Sequence, residues 1–374
     1  MSVRIIHTAD VHLDSPFTAF SPSGAEKRRE NIRKSFLALI EKAREEKTQL
    51  FFISGDLFDT EFATRDTALM LKNAFLSLPD CKFFISPGNH DPFTQSSVYA
   101  TASFPSNVHV FRERECVELP ELGVRVFGYG FASSICNEST VLGYEVPDDD
   151  MINILVCHGD MSGALSNNGP VTKRDIGDSG FDYIALGHIH KGTGVCAENG
   201  VHYAYPGCLC GRSFDETGVK TALIGEIEKN NIKLDTVSVA FMQYESIVCD
   251  VSETVSRRNA LESIRNAVSV FPAGTAVRVT AEGSTAEEYL ISPNELDGQT
   301  ECEVYLIDNT RPIISFTDIE SENTLRGAFY RIMEKRISSV RSGSEEYNTL
   351  VKALKYGLTV LDEKNIADFG EEEK

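Results

Sequence analysis

Short apolar runs that end in polar residues are the dominant pattern over residues 1–240. The runs at 4–8, 50–54, 82–86, 152–157 and 183–186 have the length and β-branched or aromatic content of buried strands. Helical periodicity fills two of the intervals, at 25–47 and 67–78, and further strand patterns occur near 108–111, 124–129, 201–205, 221–227 and 232–239. Strands that first alternate with helices and later follow one another predict a mixed α/β sandwich.

Each of the main runs is followed by a polar cluster. The clusters are Asp10-Val11-His12, Gly55-Asp56, Gly88-Asn89-His90-Asp91, His158-Gly159-Asp160 and Gly187-His188-Ile189-His190, and they hold five of the eight histidines. Any one of them is also compatible with a plain turn or a helix cap. Open α/β sheets place their sites at the carboxyl ends of strands, so the joint occurrence predicts one shared site.

The side chains in these clusters are metal ligands by chemical type. The candidates are Asp10, His12, Asp56, Asn89, His158, His188 and His190. Carboxylate and amide oxygens mixed with imidazoles suit Mn²⁺, Fe²⁺ or Zn²⁺, and seven ligands with one bridging carboxylate suffice for two ions. Two ions about 3.5 to 4 Å apart can hold a hydroxide and the oxygens of a phosphate ester. The sequence therefore predicts phosphoester hydrolysis at a binuclear centre.

The rest of the chain has a different character. Residues 245–309 read as a small α+β domain with a helix at 256–271, and residues 322–374 form a helical tail. Two amphipathic helices are predicted in the tail, at 322–340 and 345–361. Their apolar stripes, which we expect to face inward, are Leu325, Phe329, Ile332, Met333, Ile337 and Val340, and Tyr347, Leu350, Val351, Leu354, Leu358 and Leu361. Such stripes pack on their own chain or dock on a partner.

Composition adds one difficulty. The formal net charge is −20, whereas a protein that grips nucleic acid alone has a basic face. A local cluster at the start of the first helix, Lys27, Arg28, Arg29, Arg33 and Lys34, is either a solvated helix face or a set of phosphate contacts.

No window reaches the ~20 apolar residues of a membrane span, and nine cysteines lack paired spacing, so we expect a cytoplasmic protein with reduced thiols.

The five clusters, in this order, resemble the motifs of calcineurin-like metallophosphoesterases. Within that superfamily the chain looks most similar to SbcD-type DNA repair exonucleases, the bacterial counterparts of the nuclease in the MRN complex. The similarity lies in the stretch from His7 to Phe17, in Gly55-Asp56-Leu57-Phe58-Asp59 and in Tyr205-Pro206-Gly207. The resemblance implies a metallophosphoesterase sandwich of two mixed β-sheets flanked by helices at 1–240, an α+β capping domain at 245–309 and an ATPase-docking tail at 322–374.

The resemblance also implies individual roles. Asp10, His12 and His190 would hold one ion, Asn89, His158 and His188 the other, and Asp56 would bridge them. His90 would donate a proton to the leaving oxygen. The ions would be Mn²⁺, with Fe²⁺ or Zn²⁺ as alternatives. Some relatives have a histidine where this chain has Asp59 and a glycine where it has Asp14, so a transition-state role at 59 is open and Asp14 should add negative charge beside the site.

The leading functional hypothesis is a Mn²⁺-dependent DNA nuclease that works with an SbcC-like SMC-type ATPase, with no membrane association and with a homodimer left open. One alternative is a phosphodiesterase or phosphatase for small nucleotides or phosphoproteins, which the acidic composition favours. Another is a scaffold with a vestigial site, which the presence of all eight site residues disfavours. We expect His7, His109 and His202 to be structural and Cys208 and Cys210 to be free thiols.

Overall fold

The computed structural model describes residues 2–60, 62–163, 165–252, 254, 256–285, 296, 298–312 and 316–361. The chain divides into two compact units, Met1–Gln243 and Tyr244–Lys374. The domain predicted at 245–309 and the helical tail predicted at 322–374 both fall in the second unit.

Two six-stranded sheets form the first unit. One has the order β12-β11-β1-β2-β3-β4 and the other β5-β6-β7-β8-β10-β9. The strands of the first sheet are β1 (Val3–Thr8), β2 (Leu50–Ile53), β3 (Lys82–Ile85), β4 (Val108–Val110), β11 (Ala222–Glu228) and β12 (Asn231–Val237). Those of the second are β5 (Glu115–Leu119), β6 (Val124–Tyr129), β7 (Ile152–His158), β8 (Tyr183–Gly187), β9 (Cys196–Glu198) and β10 (Val201–Ala204). The helices are α1 (Pro22–Glu45), α2 (Arg65–Leu76), α3 (Val98–Thr101) and α4 (Lys173–Gly177).

Both sheets mix parallel and antiparallel pairs. Strands β1, β2 and β3 are parallel neighbours, as are β7 and β8, whereas β1 pairs with β11 in the antiparallel sense. The core between the sheets contains Phe52 and Phe84 from the first sheet and Ile154, Val156 and Tyr183 from the second, all nearly inaccessible to solvent. The predicted mixed α/β sandwich is therefore confirmed, although the short strands β5 and β9 and the helices α3 and α4 were not predicted.

Helix α1 covers the outer face of the first sheet. It begins at the cap residue Ser21, whose side chain accepts from the Gly24 N–H, with Pro22 in the first turn. Its buried Phe36 lies against Phe51 of β2 and against Phe75 of α2, with ring centroids 6.5 and 6.4 Å apart. Aromatic packing thus fixes α1 and α2 on the strands whose ends carry the polar clusters.

The two sheets are in close contact where β2 and β8 end. The Ser54 hydroxyl donates to the Ala185 carbonyl at 2.8 Å, and a Cβ at Gly187 would overlap the Ser54 carbonyl oxygen. The obstacle to a side chain at 187 is backbone, which cannot rotate away as a flexible side chain could. Glycine at this position therefore lets the two sheets approach each other.

The second unit begins with a three-stranded parallel sheet, β13-β14-β15. Its elements are β13 (Tyr244–Asp250), α5 (Arg257–Val268), β14 (Ala276–Thr285) and β15 (Glu303–Pro312). Helix α5 packs Leu261, Ile264 and Val268 against the sheet residues Val277 and Val279. The short helical or loop stretch expected between the last two strands falls mostly on residues 286–295, outside the described residues.

The C-terminal helices are α6 (Phe316–Ser321), α7 (Leu325–Ser338) and α8 (Glu345–Leu361). Their common core comprises Ile319, Tyr330, Met333, Leu354 and Leu358. The helical tail is thus confirmed as far as residue 361. The prediction that Leu325 and Ile332 face inward was wrong: their side chains are 73% and 62% exposed, because α7 packs through the face that carries Tyr330 and Met333.

Among the described helices, none combines the length and apolar content needed to cross a bilayer.

The buried His7 generates a prediction about pH. Its Nδ1 lies 2.8 Å from the Tyr183 hydroxyl, and its Nε2 lies 3.1 Å from both the Leu186 carbonyl and the Ser54 hydroxyl. Burial lowers the pKa of His7 to about 3. Because the unfolded imidazole titrates near pH 6.5, the contribution of neutral His7 to stability is complete above that pH and is lost as the pH falls toward 3.

We compare the free energy of unfolding of the wild type with that of His7→Gln. We expect the wild-type value minus the variant value to fall by about 1.4 kcal/mol for each pH unit below pH 6.5. Urea denaturation of both proteins in chelator, at pH values between about 7.5 and 5, measures this difference. A difference that stays constant over this range would contradict the assignment.

Candidate metal centre

The strand ends of both sheets bring all eight predicted site residues to one edge of the sandwich. Asp10 and His12 follow β1, Asp56 follows β2, and Asn89 and His90 follow β3. From the second sheet, His158 is the last residue of β7, and His188 and His190 follow β8. The site is assembled from consecutive parallel strands, as the carboxyl ends of such strands require.

The backbone is unusual at four of these residues. Asp10, His12 and Asp56 have φ values of 51°, 52° and 51°, and His188 has a φ of 109°. Such values cost residues other than glycine free energy and persist only where surrounding contacts enforce them. Here the first two loops are held together by backbone bonds from Asp10 N–H to the Gly55 carbonyl and from His12 N–H to the Asp56 carbonyl, each 3.0 Å long.

One group of ligand atoms consists of Asp10, His12 and His190, which lie within 4.8 Å of one another. The Nε2 atoms of His12 and His190 are 3.2 Å apart, and His190 Nε2 lies 3.7 Å from Asp10 Oδ1. Asp10 is fixed from behind, because its carboxylate accepts the His188 backbone N–H at 3.0 Å.

A second group consists of Asn89, His158 and His188. Asn89 Oδ1 lies 3.0 Å from His158 Nε2 and 3.2 Å from His188 Nδ1, and those two nitrogens are 3.2 Å apart. The ligand atoms of Asp10, Asp56 and His158 also lie within 4.8 Å of one another, so the division between two ions that the family resemblance implied stays a prediction.

Asp56 lies between the two groups. Its Oδ2 is 3.9 Å from His12 Nε2 and 3.6 Å from His158 Nε2, while its Oδ1 accepts the His90 backbone N–H at 3.0 Å. The exposed His90 lies beside the same carboxylate, and its ligand atom comes within 4.8 Å of those of His12 and Asp56. The bridging role of Asp56 and the acid role of His90 stay predictions.

The contacts on the far side of three of the rings, those of His158, His12 and His190, indicate what the centre can hold. His158 Nδ1 donates to the Ser54 carbonyl at 3.0 Å, so its Nε2 carries a lone pair directed at the Asn89 side-chain oxygen. His190 Nδ1 donates to Glu216 Oε1 at 2.7 Å, so its Nε2 lone pair is directed at His12 Nε2. His12 Nδ1 lies 3.0 Å from Asp59 Oδ1 but makes no hydrogen bond. A lone pair directed into each group of ligand atoms, from His190 in one and from His158 in the other, fits a bound cation.

The electrostatics of the buried groups point the same way. Burial lowers the pKa of His12 to about 4, and burial together with the neighbouring His158 lowers the pKa of His188 to about 4. Neutral imidazole is the form that binds metals. Burial and the nearby charge of Asp56 raise the pKa of Asp10 well above its usual range, a repulsion that a divalent cation would relieve.

A buried carboxylate that is not a ligand supports the loops. Asp91 accepts the backbone N–H groups of Gly88, Asp56 and Phe58 at 2.7, 3.2 and 3.0 Å and the hydroxyl of Tyr99 at 2.5 Å. These bonds join the loop after β3 to the loop after β2. Asp91 therefore fixes Asp56 and Asn89 relative to each other, which explains why an aspartate completes the Gly-Asn-His-Asp cluster.

Two residues that approach the centre were not predicted. Glu216 lies against His190, and Arg212 joins Glu216 to Asp59. Both lie in the loop between β10 and β11, which the sequence marked only by Tyr205-Pro206-Gly207 and two cysteines. An arginine and a glutamate four residues apart are too common to signal a site. Cys208 is buried, which raises the pKa of its thiol to about 12, and its Sγ lies within 4.8 Å of ligand atoms of His190 and Glu216.

Asp14 differs from its expected role. It was expected to add negative charge beside the site, but its carboxylate binds Arg33 at 2.9 Å, the Thr64 N–H at 2.7 Å and the Thr67 hydroxyl at 2.7 Å. Its charge is therefore compensated by Arg33, and its bonds connect the first loop to the start of α2.

The basic cluster on α1 is also largely compensated. Arg28 is buried, with its guanidinium 3.6 Å from the centre of the Phe20 ring. Arg29 pairs with Glu26 at 2.7 Å, and Lys34 pairs with Glu30 at 2.8 Å. Arg33 pairs with Glu26 as well as with Asp14. Lys27 and Lys34 are the most exposed members, and contact of the cluster with DNA stays a prediction.

Comparison with known proteins gives one family and several relatives. Residues 3–192 match the family model described as calcineurin-like phosphoesterase. A protein of Bacillus subtilis strain 168 described as uncharacterized metallophosphoesterase YhaO is 26% identical, over 92% of this chain and 90% of its own length.

Two solved structures are also similar to this chain. The protein TT1561 of Thermus thermophilus has a TM-score of 0.38 at 13% identity, over 64% of this chain and all of its own. The purple acid phosphatase PPD1 of yellow lupin has a TM-score of 0.36 at 11% identity, over 60% of this chain and 49% of its own.

The two ligand groups predict separable ions. We expect the wild type to bind two Mn²⁺ per chain and His158→Ala and His190→Ala each to lose about one, because each change removes a ligand from only one group. Calorimetric titration of the metal-free proteins measures the stoichiometry, with His202→Ala as the control outside both groups. Loss of both ions in both variants would contradict a division into two groups.

Proposed function

The chain belongs to the calcineurin-like phosphoesterase family, and on that premise we propose that it is a metal-dependent nuclease that hydrolyses phosphodiester bonds of DNA. The observation that carries the proposal is the pair of ligand groups around Asp56 with the exposed His90 beside them. Such a centre matches the requirements of in-line displacement at phosphorus, where the attacking and leaving oxygens lie on opposite sides.

The proposed mechanism divides the work among the residues of the site. The two ligand groups would hold two divalent ions, Mn²⁺ in this proposal, and such ions would supply charge to neutralise phosphate oxygens and would activate water as a nucleophile at neutral pH. Asp56 holds the two ligand groups in one frame. His90 Nδ1 lies 3.2 Å from the Asp59 carbonyl oxygen and donates to it, so Nε2 is the nitrogen that delivers a proton to the leaving oxygen.

The accessible side of the centre supports a large substrate. His90 is exposed, and the side chains of His188 and His190 are 20% and 28% exposed, whereas His12 and His158 are fully buried. A phosphodiester can therefore approach from the side of His90 while the opposite walls stay closed. Together with the SbcD-like opening stretch, this favours a strand of DNA over an enclosed small molecule.

A partner would supply the positive charge that the chain lacks. We place an SbcC-like SMC-type ATPase on the helical tail, in a cytoplasmic complex. Leu325 and Ile332 lie seven residues apart on one face of α7 and are 73% and 62% exposed, and Tyr356 and Val360 on α8 are 42% and 46% exposed. Exposed apolar residues at helical spacing support docking of a partner helix.

One observation favours the alternative substrate class, small phosphodiesters or phosphoproteins. The arginines of the basic cluster are paired with acidic residues or buried, as described above, which leaves fewer cations for a DNA backbone. Because the same centre serves both classes, substrate comparison decides between them.

The first test compares substrates in Mn²⁺: labelled linear duplex DNA, single-stranded DNA and a small aryl phosphodiester. We expect cleavage of DNA and of the small ester, with both reduced by about 10²-fold or more in His90→Ala at unchanged metal content. Activity on the small ester alone, even with a cognate ATPase added, would move the assignment to the alternative class. Unchanged activity of His90→Ala would remove His90 from its role.

The second test addresses the cluster on α1. We expect the double substitution Lys27→Glu and Lys34→Glu to weaken DNA cleavage severalfold, with a larger effect at low salt, because phosphate contacts are electrostatic. Hydrolysis of the small ester should be unaffected. Lys72→Glu, at an exposed lysine on α2, is the control for added negative charge. Equal loss on both substrates would exclude a role of the cluster in DNA binding.

A further inference from the structure

The loop between β10 and β11 contacts the centre through one carboxylate. Glu216 Oε1 lies 2.7 Å from His190 Nδ1. The same side chain accepts from Arg212 three times, from Nη2 at 2.9 Å, from Nε at 3.2 Å and from the backbone N–H at 3.0 Å. Glu216 therefore cannot rotate without breaking several bonds, and the His190 ring is held by a carboxylate that is itself fixed.

The other end of Arg212 reaches a second imidazole. Its Nη1 donates to Asp59 Oδ1 at 2.8 Å, and that oxygen lies 3.0 Å from His12 Nδ1. Contacts thus run without interruption from His12 through Asp59, Arg212 and Glu216 to His190. The side chains of Asp59, Arg212 and Glu216 are only 15%, 20% and 12% exposed, so solvent screens these ion pairs less than it would on the surface.

The remaining two imidazoles are held differently. His158 donates to the Ser54 carbonyl at 3.0 Å, and His188 Nε2 has Asp160 Oδ2 at 3.7 Å. Neither contact involves Arg212. The two rings in contact with Asp59, Arg212 and Glu216 both belong to the group that contains Asp10. These three ion-paired side chains therefore act on one ion position and not on the other.

We propose that Asp59, Arg212 and Glu216 form a positioning triad for the ion held by Asp10, His12 and His190. In this triad Glu216 keeps Nδ1 of His190 protonated, Asp59 lies 3.0 Å from Nδ1 of His12, and the Nε2 atoms of both rings face the same space 3.2 Å apart. Asp59 thereby has a function at the position where some relatives have histidine. The inference rests on the binuclear centre proposed above, but it does not depend on DNA being the substrate.

The direction in which metal affinity changes when Arg212 is removed distinguishes two possible roles of this residue. As a nearby positive charge alone, Arg212 would repel the ion, and its removal would tighten metal binding. As the link between two carboxylates, its removal would leave two like charges without a common partner and free both to turn away from the rings. Outer contacts of this kind typically change metal affinity by about 10- to 100-fold.

Calorimetric Mn²⁺ titration of the metal-free full chain tests the triad. We expect Arg212→Met to lower the affinity for one of the two Mn²⁺ ions about 10-fold or more and to leave the affinity for the other within about 2-fold of the wild type. Arg212→Lys should be intermediate, since an ammonium group keeps the charge but cannot span both carboxylates. In a His190→Ala background, where that ion is already lost, Arg212→Met should not change the affinity of the remaining ion.

Arg125→Met is the matched control. Arg125 also joins two carboxylates, those of Glu118 and Asp149, each at 2.8 Å, but none of the three is a site residue. Its loss should leave both affinities unchanged. The triad would be overturned if Arg212→Met lowered the affinity for both ions equally, changed neither affinity, or bound Mn²⁺ more tightly. A wild type that binds fewer than two ions would overturn it as well. If Arg212→Met does not fold, Glu216→Gln decides by the same criteria.

Failure of the nuclease assignment gives a different result. A wild type that binds two ions and cleaves only the small ester would remove DNA as substrate and leave the triad intact. Conversely, a wild type that cleaves DNA while Arg212→Met keeps both affinities would retain the nuclease and remove the triad.

Discussion

The close approach of two backbones at Ser54 and Gly187 is the constraint on which the centre depends. The Ser54 carbonyl occupies the space that a side chain at 187 would need, and the same carbonyl accepts the Nδ1 proton of His158. One oxygen atom therefore sets both the spacing of the sheets and the tautomer of a ligand. If the sheets lay farther apart, His188 and His158 of the second sheet could not meet Asn89 of the first.

The arrangement of the ligand atoms is energetically unfavourable when no cation is bound. The Nε2 atoms of His12 and His190 face each other at 3.2 Å, two buried carboxylates lie within reach of the same rings, and four of the ligands have a positive φ. Each feature costs free energy that the surrounding packing must offset. Such an arrangement is not what a purely structural cluster would need, since capping or turn roles require neither closely facing imidazoles nor paired buried carboxylates.

Much of the fold and the ligand set could be predicted from the sequence because both follow local rules. Buried parallel strands read as continuous apolar runs, and their carboxyl ends are where polar residues converge, so Asp10, Asp56 and His158 could be placed from pattern alone. The strands Glu115–Leu119 and Cys196–Glu198 were missed because they are short edge strands in which, apart from Leu119, no residue is fully buried. The outward side of Leu325 and Ile332 was missed because a wide apolar stripe does not say which part of it is covered.

Asp59, Arg212 and Glu216 could not be predicted because their meaning is three-dimensional. Asp59 and Arg212 are separated by 153 positions and joined by a 2.8 Å contact, and no spacing rule relates them. Asp59 looked like a departure from a motif, whereas its Oδ1 lies 3.0 Å from His12 Nδ1 and its backbone carbonyl oxygen lies 3.2 Å from His90 Nδ1. A substitution at a motif position can thus preserve a site when a distant residue, here an arginine, supplies the charge that the new side chain requires.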